Sequence, residues 1–313
     1  MTLLDADYPR VRVGAIIVTY NSAADLPGLL GSLDRSTIPV RAIVVDNGSS
    51  DQTVDVAAKY SAVRVIATGV NAGYSAGINV GRAEIHENQA VAILNPDLVM
   101  EEHALEQMLA ELEDPTIGIV APQLRNPDGS RFDSLRREPS VLSAIGDAIF
   151  SSRWPSRPAV LAETLRREAD YASARDVAWA GGAALLISAP CNQAVGPWDS
   201  DTYLMYAEET DYSRRCRDAG LRVRYLPSAV AWHMGGGSGQ SPPLVALMAV
   251  NRIRYFERLH GRAETFLFQC ATALHHLLRL RDVRHRTALR YLFSRRSWSQ
   301  LPASESTTQR VEA

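Results

Sequence analysis

A chain of 313 residues with 46% hydrophobic content has room for one large α/β domain plus an appendage, or for two small domains, and ample material for a core. Its formal net charge of −2 excludes a polycationic binder, and nothing global argues for nucleic acid as a partner. The three cysteines, Cys191, Cys216 and Cys270, are odd in number and form no Cys-x-x-Cys pair, which argues against a disulfide framework and fits free buried thiols in a reducing cytoplasm.

The N-terminal stretch Met1 to Asp7 lacks the basic and apolar regions of a signal peptide. The longest nearly unbroken apolar stretch, Val177 to Ala189, is too short to span a bilayer and contains Gly181-Gly182. The expectation is a protein that is soluble or peripheral to a membrane.

In chain order, Val13 to Tyr20 reads as the first strand, and Asn21-Ser22 as the cap of a helix over Ala23 to Leu33 with Leu26, Leu29, Leu30 and Leu33 on one face. A strand over Ala42 to Val45 follows, ending in Asp46-Asn47-Gly48, then a helix to about Tyr60 and a strand over Val63 to Ala67. Asn71-Ala72-Gly73 leads to a helix over roughly Gly77 to Ile85. The apolar run Val91 to Leu94 is a buried strand stopped by Pro96, and Asp97 stands just beyond its carboxyl end. A helix over Glu102 to Leu112 and a strand over Ile117 to Ala121 complete a βα alternation that predicts a doubly wound, mostly parallel sheet.

From Asn126 the rhythm breaks. Asn126-Pro127-Asp128-Gly129 reads as a turn, and 131–176 as an insertion over the open face of the sheet, with helices at Val141–Phe150 and Leu161–Asp170. A strand over Ala184 to Ser188, a helix over Tyr206 to Ala219 and a strand over Val223 to Leu226 close the domain, which is bounded at residue 240. Residues 241–296 are helical in pattern and basic: between Asn251 and Arg296 stand 11 arginines and 3 acids, interleaved with Leu, Phe and Ala. That composition suits helices lying on an anionic membrane surface, and equally a solvated face packed on the domain. Residues 297–313 read as a disordered tail.

Four strand-end features fall on one side of such a sheet: Thr19-Tyr20-Asn21, Asp46-Asn47-Gly48, Asn71-Ala72-Gly73, and Asn95-Pro96-Asp97. Singly, each is a possible cap or turn; together they surround the crevice at which open α/β sheets bind ligands. Asp46 can accept from a base imide, Thr19 and Asn71 can bind base or ribose, and Gly73 lets a ligand approach the backbone. The carboxylate of Asp97 suits a divalent metal holding a diphosphate. No Gly-x-Gly-x-x-Gly follows the first strand and no Walker A sequence occurs, which weakens dinucleotide and P-loop readings. Glu208-Glu209-Thr210-Asp211 is a second acidic centre, in which Glu208 and Asp211 share a helix face while Glu209 points elsewhere; it is either an acidic helix start or a catalytic base beside a sugar. His233 is a candidate third metal ligand, and the glycines of 235–239 after it have the makings of a lid.

Taken together and in this order, Ile17 to Asn21, Val45 to Asp51, Asn71 to Gly81, Leu94 to Asp97, Tyr206 to Asp211 and His233 to Ser238 resemble family 2 glycosyltransferases with the GT-A fold, in particular their rhamnosyltransferase-like branch. The layout, with Asp128-Gly129-Ser130 and Arg136 to Ser140, is similar to the actinobacterial enzymes that add L-rhamnose to a polyprenyl-diphosphate N-acetylglucosamine in cell-wall synthesis. The resemblance implies an inverting transfer from a nucleoside-diphosphate sugar, dTDP-L-rhamnose or a UDP-hexose, with Mn²⁺ or Mg²⁺, at the inner face of the plasma membrane. It implies that Thr19, Asn21 and Asp46 hold the nucleoside, that Asn95 and Asp97 occupy the Asp-x-Asp position with Asp97 on the metal, and that His233 completes the metal site. Tyr20 and Gly182 join the substrate-binding candidates. The family's base is the second residue of a Glu-Asp pair; here that residue is Glu209, one methylene longer, so Glu208 and Asp211 stay in contention. A nucleotidyltransferase would want a glycine-rich loop and a basic residue where this chain has Asn21-Ser22-Ala23-Ala24. A sugar-nucleotide binding protein without catalysis is the reading from another class.

Overall fold

The computed structural model describes residues 11–151, 153–235 and 241–302. Its sheet grows from the most apolar stretch. Strand β1 (Val13–Thr19) is buried along its whole length, as a strand covered on both faces must be. After it come α1 (Leu26–Asp34), β2 (Val40–Asp46), α2 (Thr53–Ala58), β3 (Arg64–Ala67), α3 (Tyr74–Arg82), β4 (Ala90–Leu94), β5 (Leu98–Met100), α4 (Ala104–Glu111) and β6 (Ile117–Arg125). Then follow β7 (Leu135–Arg136), α5 (Val141–Ile149), β8 (Arg175–Val177), β9 (Trp179–Ala180), β10 (Ala184–Ile187), α6 (Ala189–Val195), α7 (Glu208–Asp218) and β11 (Arg222–His233). The chain closes with α8 (Pro242–Leu259), α9 (Arg262–Leu277) and α10 (Val283–Leu292).

The described residues form a sheet in the order β3-β2-β1-β4-β10-β6-β11-β5, with β8 also paired to β11. The first four strands are mutually parallel, and β11 runs parallel to β6. Strand β10 is antiparallel to β4 and β6, and β5 and β8 are antiparallel to β11. The sheet is therefore α/β and mostly parallel, with antiparallel members in its second half. One layer of core packs the α1 and α4 leucines and methionines against it; the other packs α3, α6 and α7. Helix α3 lies so close to β1 that a Cβ on Gly77 would come within 2.7 Å of Val18 and one on Gly81 within 2.5 Å of Ile16. A third cluster joins α5 to α8, α9 and α10.

Several elements differ from the sequence reading, each for a physical reason. Asn21-Ser22 do not cap α1: Asn21 takes φ 53°, the Ser22 carbonyl accepts from Asp25 and Leu26, and the helix starts at Leu26. The segment 161–170 is not a helix. Arg136 bridges Thr164, Leu165 N–H donates to the Leu135 carbonyl, and only short 3-10 turns at Ala159–Leu161 and Glu168–Asp170 remain. The insertion does not simply lie over the sheet, because α5 packs on α9 and β8 joins β11. Strand β11 continues past Pro227 because a register shift between Leu226 and Val230 absorbs the missing N–H. Ser297–Gln300 belong to a 3-10 helix, Arg295–Gln300, and Leu301 is buried, so order extends beyond residue 296; residues 303–313 lie outside the described residues. Cys191 and Cys216 are buried free thiols and Cys270 is a half-buried one.

Candidate functional site

The chain leaves β1 toward β2 and β3 on one side and returns to β4 on the other, so the order reverses between β1 and β4. At the carboxyl ends of these strands a cleft of about 260 Å³ opens, lined by Thr19, Tyr20, Asn21, Asn71, Tyr74, Asn95 and Asp97 among others.

Its floor is a hydrogen-bond network. Register places Thr19 opposite Asp46, and Thr19 Oγ1 donates to Asp46 Oδ1 at 3.0 Å. The Ser49 N–H donates to Asp46 Oδ2 at 2.9 Å and the Ser49 hydroxyl to Oδ1. Asn21 ties the same loop from above, its N–H donating to Ser49 Oγ and its Oδ1 accepting from Ser50 N–H, each at 2.8 Å. Asp46 is thus buried below the cleft and organises the loop rather than lining the crevice directly. Asn71 Oδ1 accepts from Gly73 N–H at 3.1 Å, and Asn47 Nδ2 donates to the Gly73 carbonyl at 2.9 Å. The φ of +93° at Gly73 starts α3, and a Cβ there would meet Leu204 at 2.4 Å, so the fold itself requires a glycine at this position. Tyr20 is exposed at the mouth.

Beyond β4, Asn95 N–H donates to the Ala183 carbonyl and the chain turns through Pro96 into β5. Strand β5 was too short to be legible, yet its pairing sets the site: His233 stands opposite Leu98, which puts its Nε2 3.2 Å from Asp97 Oδ2. Phe132 meets the imidazole edge-on at 5.4 Å between centroids and holds its orientation. Among the described residues no group of three His, Cys, Asp or Glu side chains could hold a metal ion, so the candidate donors at this site are one carboxylate and one imidazole. Residues 236–240, which contain most of the expected lid, lie outside the described residues.

The second acidic centre opens α7. Tyr206 and Ala207 both adopt left-handed conformations, φ 70° and 72°, a cost carried at a turn that aims the next residues. Asn251, fully buried on α8, holds this turn through its Nδ2, which donates to the Met205 carbonyl at 2.9 Å and the Tyr206 carbonyl at 3.2 Å. Glu208 is buried, and its Oε2 has no hydrogen-bond partner among the described residues. Burial, reinforced by Glu209 beside it, pushes the Glu208 carboxyl well above the usual range. Glu209 is half-buried and likewise raised by burial, while Arg136 and the Gly182 amide pull the other way. Gly182 leaves this side chain its space: a Cβ there would stand 3.3 Å from Glu209 Cβ. Asp211 is corrected as a base candidate. Its Oδ2 accepts from Arg215 at 2.8 Å and its Oδ1 pairs with Arg258 at 2.9 Å, so it fixes the helix.

Tyr74 connects the two acidic centres. Its hydroxyl donates to Asn95 Oδ1 at 2.9 Å, and its ionisation is suppressed first by burial, then by Glu208, Glu209 and Asp97. Both acidic centres therefore act electrostatically on one ring, which lines the cleft.

Residues 15–168 match the model of glycosyl transferase family 2. N-acetylglucosaminyl-diphospho-decaprenol L-rhamnosyltransferase of Mycobacterium tuberculosis is 33% identical over 241 residues, spanning 72% of this chain and 78% of that one. The chain belongs to glycosyl transferase family 2. In fold this glycosyltransferase is similar to GalNAc-T7, solved with UDP, GalNAc and Mn²⁺ (TM-score 0.62, 13% identity, 94% of this chain and 58% of that one). It is also similar to the mannosyltransferase PcManGT of Pyrobaculum calidifontis, solved with GDP-Man and Mn²⁺ (TM-score 0.56, 18% identity, 94% and 84%).

Three residues of this glycosyltransferase escaped the sequence reading as site residues. Tyr74 lay inside a recognised motif, Arg136 inside the irregular insertion, and Asn251 was the one amide on an apolar helix face, which was the available signal. Three tryptophans are engaged within the fold. Trp198 is buried against Tyr212 at 4.4 Å, Trp232 points to Glu101 on the face opposite His233, and Trp179 Nε1 donates to the Arg137 carbonyl. Among the described residues no helix is long and apolar enough to cross a membrane.

Proposed function

We propose that this glycosyltransferase inverts the anomeric centre as it moves a sugar, L-rhamnose from dTDP-L-rhamnose in the reading we favour, onto a polyprenyl-diphosphate-linked glycan at the cytoplasmic face of the membrane. The observation that carries the reading is the juxtaposition of a carboxylate–imidazole pair, Asp97 and His233, with a second carboxylate pair, Glu208 and Glu209, across Tyr74. One pair suits a nucleoside diphosphate and the other an acceptor hydroxyl. The L-rhamnosyl group and the diphospho-polyprenol-linked N-acetylglucosamine acceptor are those in the name of the 33%-identical relative; dTDP as the carrier is our reading.

Thr19, Asn21 and Asn71 line the part of the cleft suited to base and ribose, with Asp46 holding their loop in register. Asp97 and His233 would hold a divalent ion such as Mn²⁺ or Mg²⁺ through a hard carboxylate oxygen and an imidazole nitrogen. When bound, the ion neutralises charge on the leaving diphosphate. Glu209 takes the acceptor proton. It is the more exposed member of the pair, whereas Glu208 is buried and its carboxyl is pushed well above the usual range by burial and by Glu209. A raised carboxylate matches the proton it must remove better than an ordinary one. The acceptor oxygen attacks the anomeric carbon from the face opposite the diphosphate, which departs with its electron pair, so no protein acid is required at the leaving group.

The test is product formation by the purified protein with dTDP-L-rhamnose, UDP-glucose, UDP-galactose and GDP-mannose, each with Mn²⁺, with Mg²⁺ and with EDTA. Glu209→Gln is expected to lower kcat by on the order of 10²–10⁴-fold while leaving nucleotide affinity intact. Because folding raises the Glu209 carboxyl, kcat should fall as pH drops through a limb above the usual carboxylate range. A limb at the ordinary value, or full activity in Glu209→Gln, would overturn the assignment. Binding of a donor without turnover of any acceptor would favour a non-catalytic sugar-nucleotide binder.

Association with the inner leaflet is supported by exposed Phe266, Leu267, Leu277 and Leu278 beside the arginines of the C-terminal region. Deleting the last ~60 residues would cut α8 and remove Asn251's helix support, so point changes such as Phe266→Asp with Leu267→Asp give the cleaner liposome assay.

A further inference from the structure

Away from the cleft, a cavity of about 320 Å³ lies between α5, α8, α9 and α10. Its wall brings together Arg252 from α8, His275 and His276 from α9, and Arg284 and His285 from α10. We infer that this cavity is a binding site for a phosphate- or diphosphate-bearing anion. The inference stands on the cavity and does not rest on the transferase reading.

Three imidazoles crowd one space: His276 Nδ1 and His285 Nδ1 are 2.8 Å apart, and the His275 ring is within 5.3 and 5.7 Å of the other two. The acid on the wall, Asp147 of α5, is already engaged by the fully buried Arg157, and Asp282 by Arg284. Arg252 is paired through its Nη2 with the buried Glu163, while its Nε is buried with no hydrogen-bond partner among the described residues. Such a group costs stability unless a ligand satisfies it. Arg279, which no carboxylate pairs among the described residues, together with Arg252 and Arg284 beside their carboxylate partners, disfavours a metal cation at the neutral rings and favours an anion. Burial first, then these neighbours and each other, hold His275 down at about 3 and His276 at about 4. They are neutral in the empty cavity and gain protons only when negative charge enters. Volume is sufficient for a diphosphate. A shallow surface formed by Leu277 to Asp282 meets the cavity at His285, and its Leu277, Leu278 and Leu280 are exposed. A cationic hollow with an apolar lip suits a phosphate carried on a lipid.

The experiment uses the full chain with ¹⁵N-labelled histidine and follows the ring resonances in EDTA as inorganic pyrophosphate or farnesyl diphosphate is added. His275, His276 and His285 should shift saturably toward the protonated form, while His233 reports the nucleotide cleft separately. Binding takes up protons, so it should tighten as pH falls from about 8 to about 6. His285→Ala, at the half-exposed rim, should weaken it about tenfold; His275→Ala serves if that variant folds poorly. Tighter binding of farnesyl diphosphate identifies a lipid-borne phosphate, and equal binding a free anion. Absence of shifts in these three rings at millimolar probe, shifts at His233 alone, or affinity unchanged in both variants would overturn the inference.

Discussion

Asn-Pro-Asp stands at 95–97 and again at 126–128, and the two copies have opposite fates. Asn126-Pro127-Asp128 closes a tight turn: Gly129 N–H donates to the Asn126 carbonyl, Asp128 Oδ1 accepts from the Ser130 N–H and hydroxyl, and Asp128 is exposed. In Asn95-Pro96-Asp97 the same side chains face inward, to Tyr74 and His233, and Asp97 is buried. What differs is the neighbourhood. The first copy follows a fully buried strand at the reversal of the sheet and continues into β5, paired to β11; the second follows β6 and folds back on itself. A carboxylate becomes a ligand candidate when the surrounding strands bury it beside an imidazole, and a turn anchor when it stays in solvent beside its own loop.

The comparison breaks if both aspartates behave alike. Asp97→Ala is expected to lower kcat/KM by about 10³-fold, the loss of several kcal/mol of charge stabilisation, as read in steady-state assays with a fixed donor. His233→Ala should cost roughly 10–100-fold and weaken activation by Mn²⁺, as measured by metal titration. Tyr74→Phe removes one hydrogen bond from Asn95 and should cost about fivefold in kcat/KM with the fold retained by circular dichroism. Asp128→Ala should leave both activity and the thermal midpoint unchanged. Equal losses for Asp97→Ala and Asp128→Ala would show that the tripeptide, and not its burial, sets the role.

The first half of the fold was legible because it obeys local rules. Strands β1 and β4 are continuous apolar runs, as is β2 from Ala42 to Val45, and α1 and α4 show helical spacing that tertiary packing then confirms. The leucine face of α1 was readable even though its start was not, since the competing turn at Ser22 depends on a hydrogen bond from Ser22 N–H to Thr53 Oγ1, 31 residues away. The second half defeated the same rules. Strand β5 has three residues, β10 runs antiparallel without announcing it, and 161–170 forms extended contacts to Leu135 and Arg136. In the site, Asp97 and His233 were visible as residue types, but their pairing depends on β11 crossing Pro227. The Glu208–Glu209–Asp211 ambiguity was beyond spacing alone, since partners remote in sequence, Arg258 for Asp211 and Gly182 for Glu209, separate their environments.

Asn251 makes the carboxyl-terminal helices poor candidates for exchange. Its amide links α8 to the turn that aims Glu209, so the appendage is mortised into the transferase domain. A chimera that borrows these helices from a relative, in the hope of redirecting the acceptor, inherits a new hinge under Glu209, the base we propose. Grafting would therefore change turnover and selectivity together unless the donor segment carries an amide at the same register and a Leu204–Tyr206 surface to receive it.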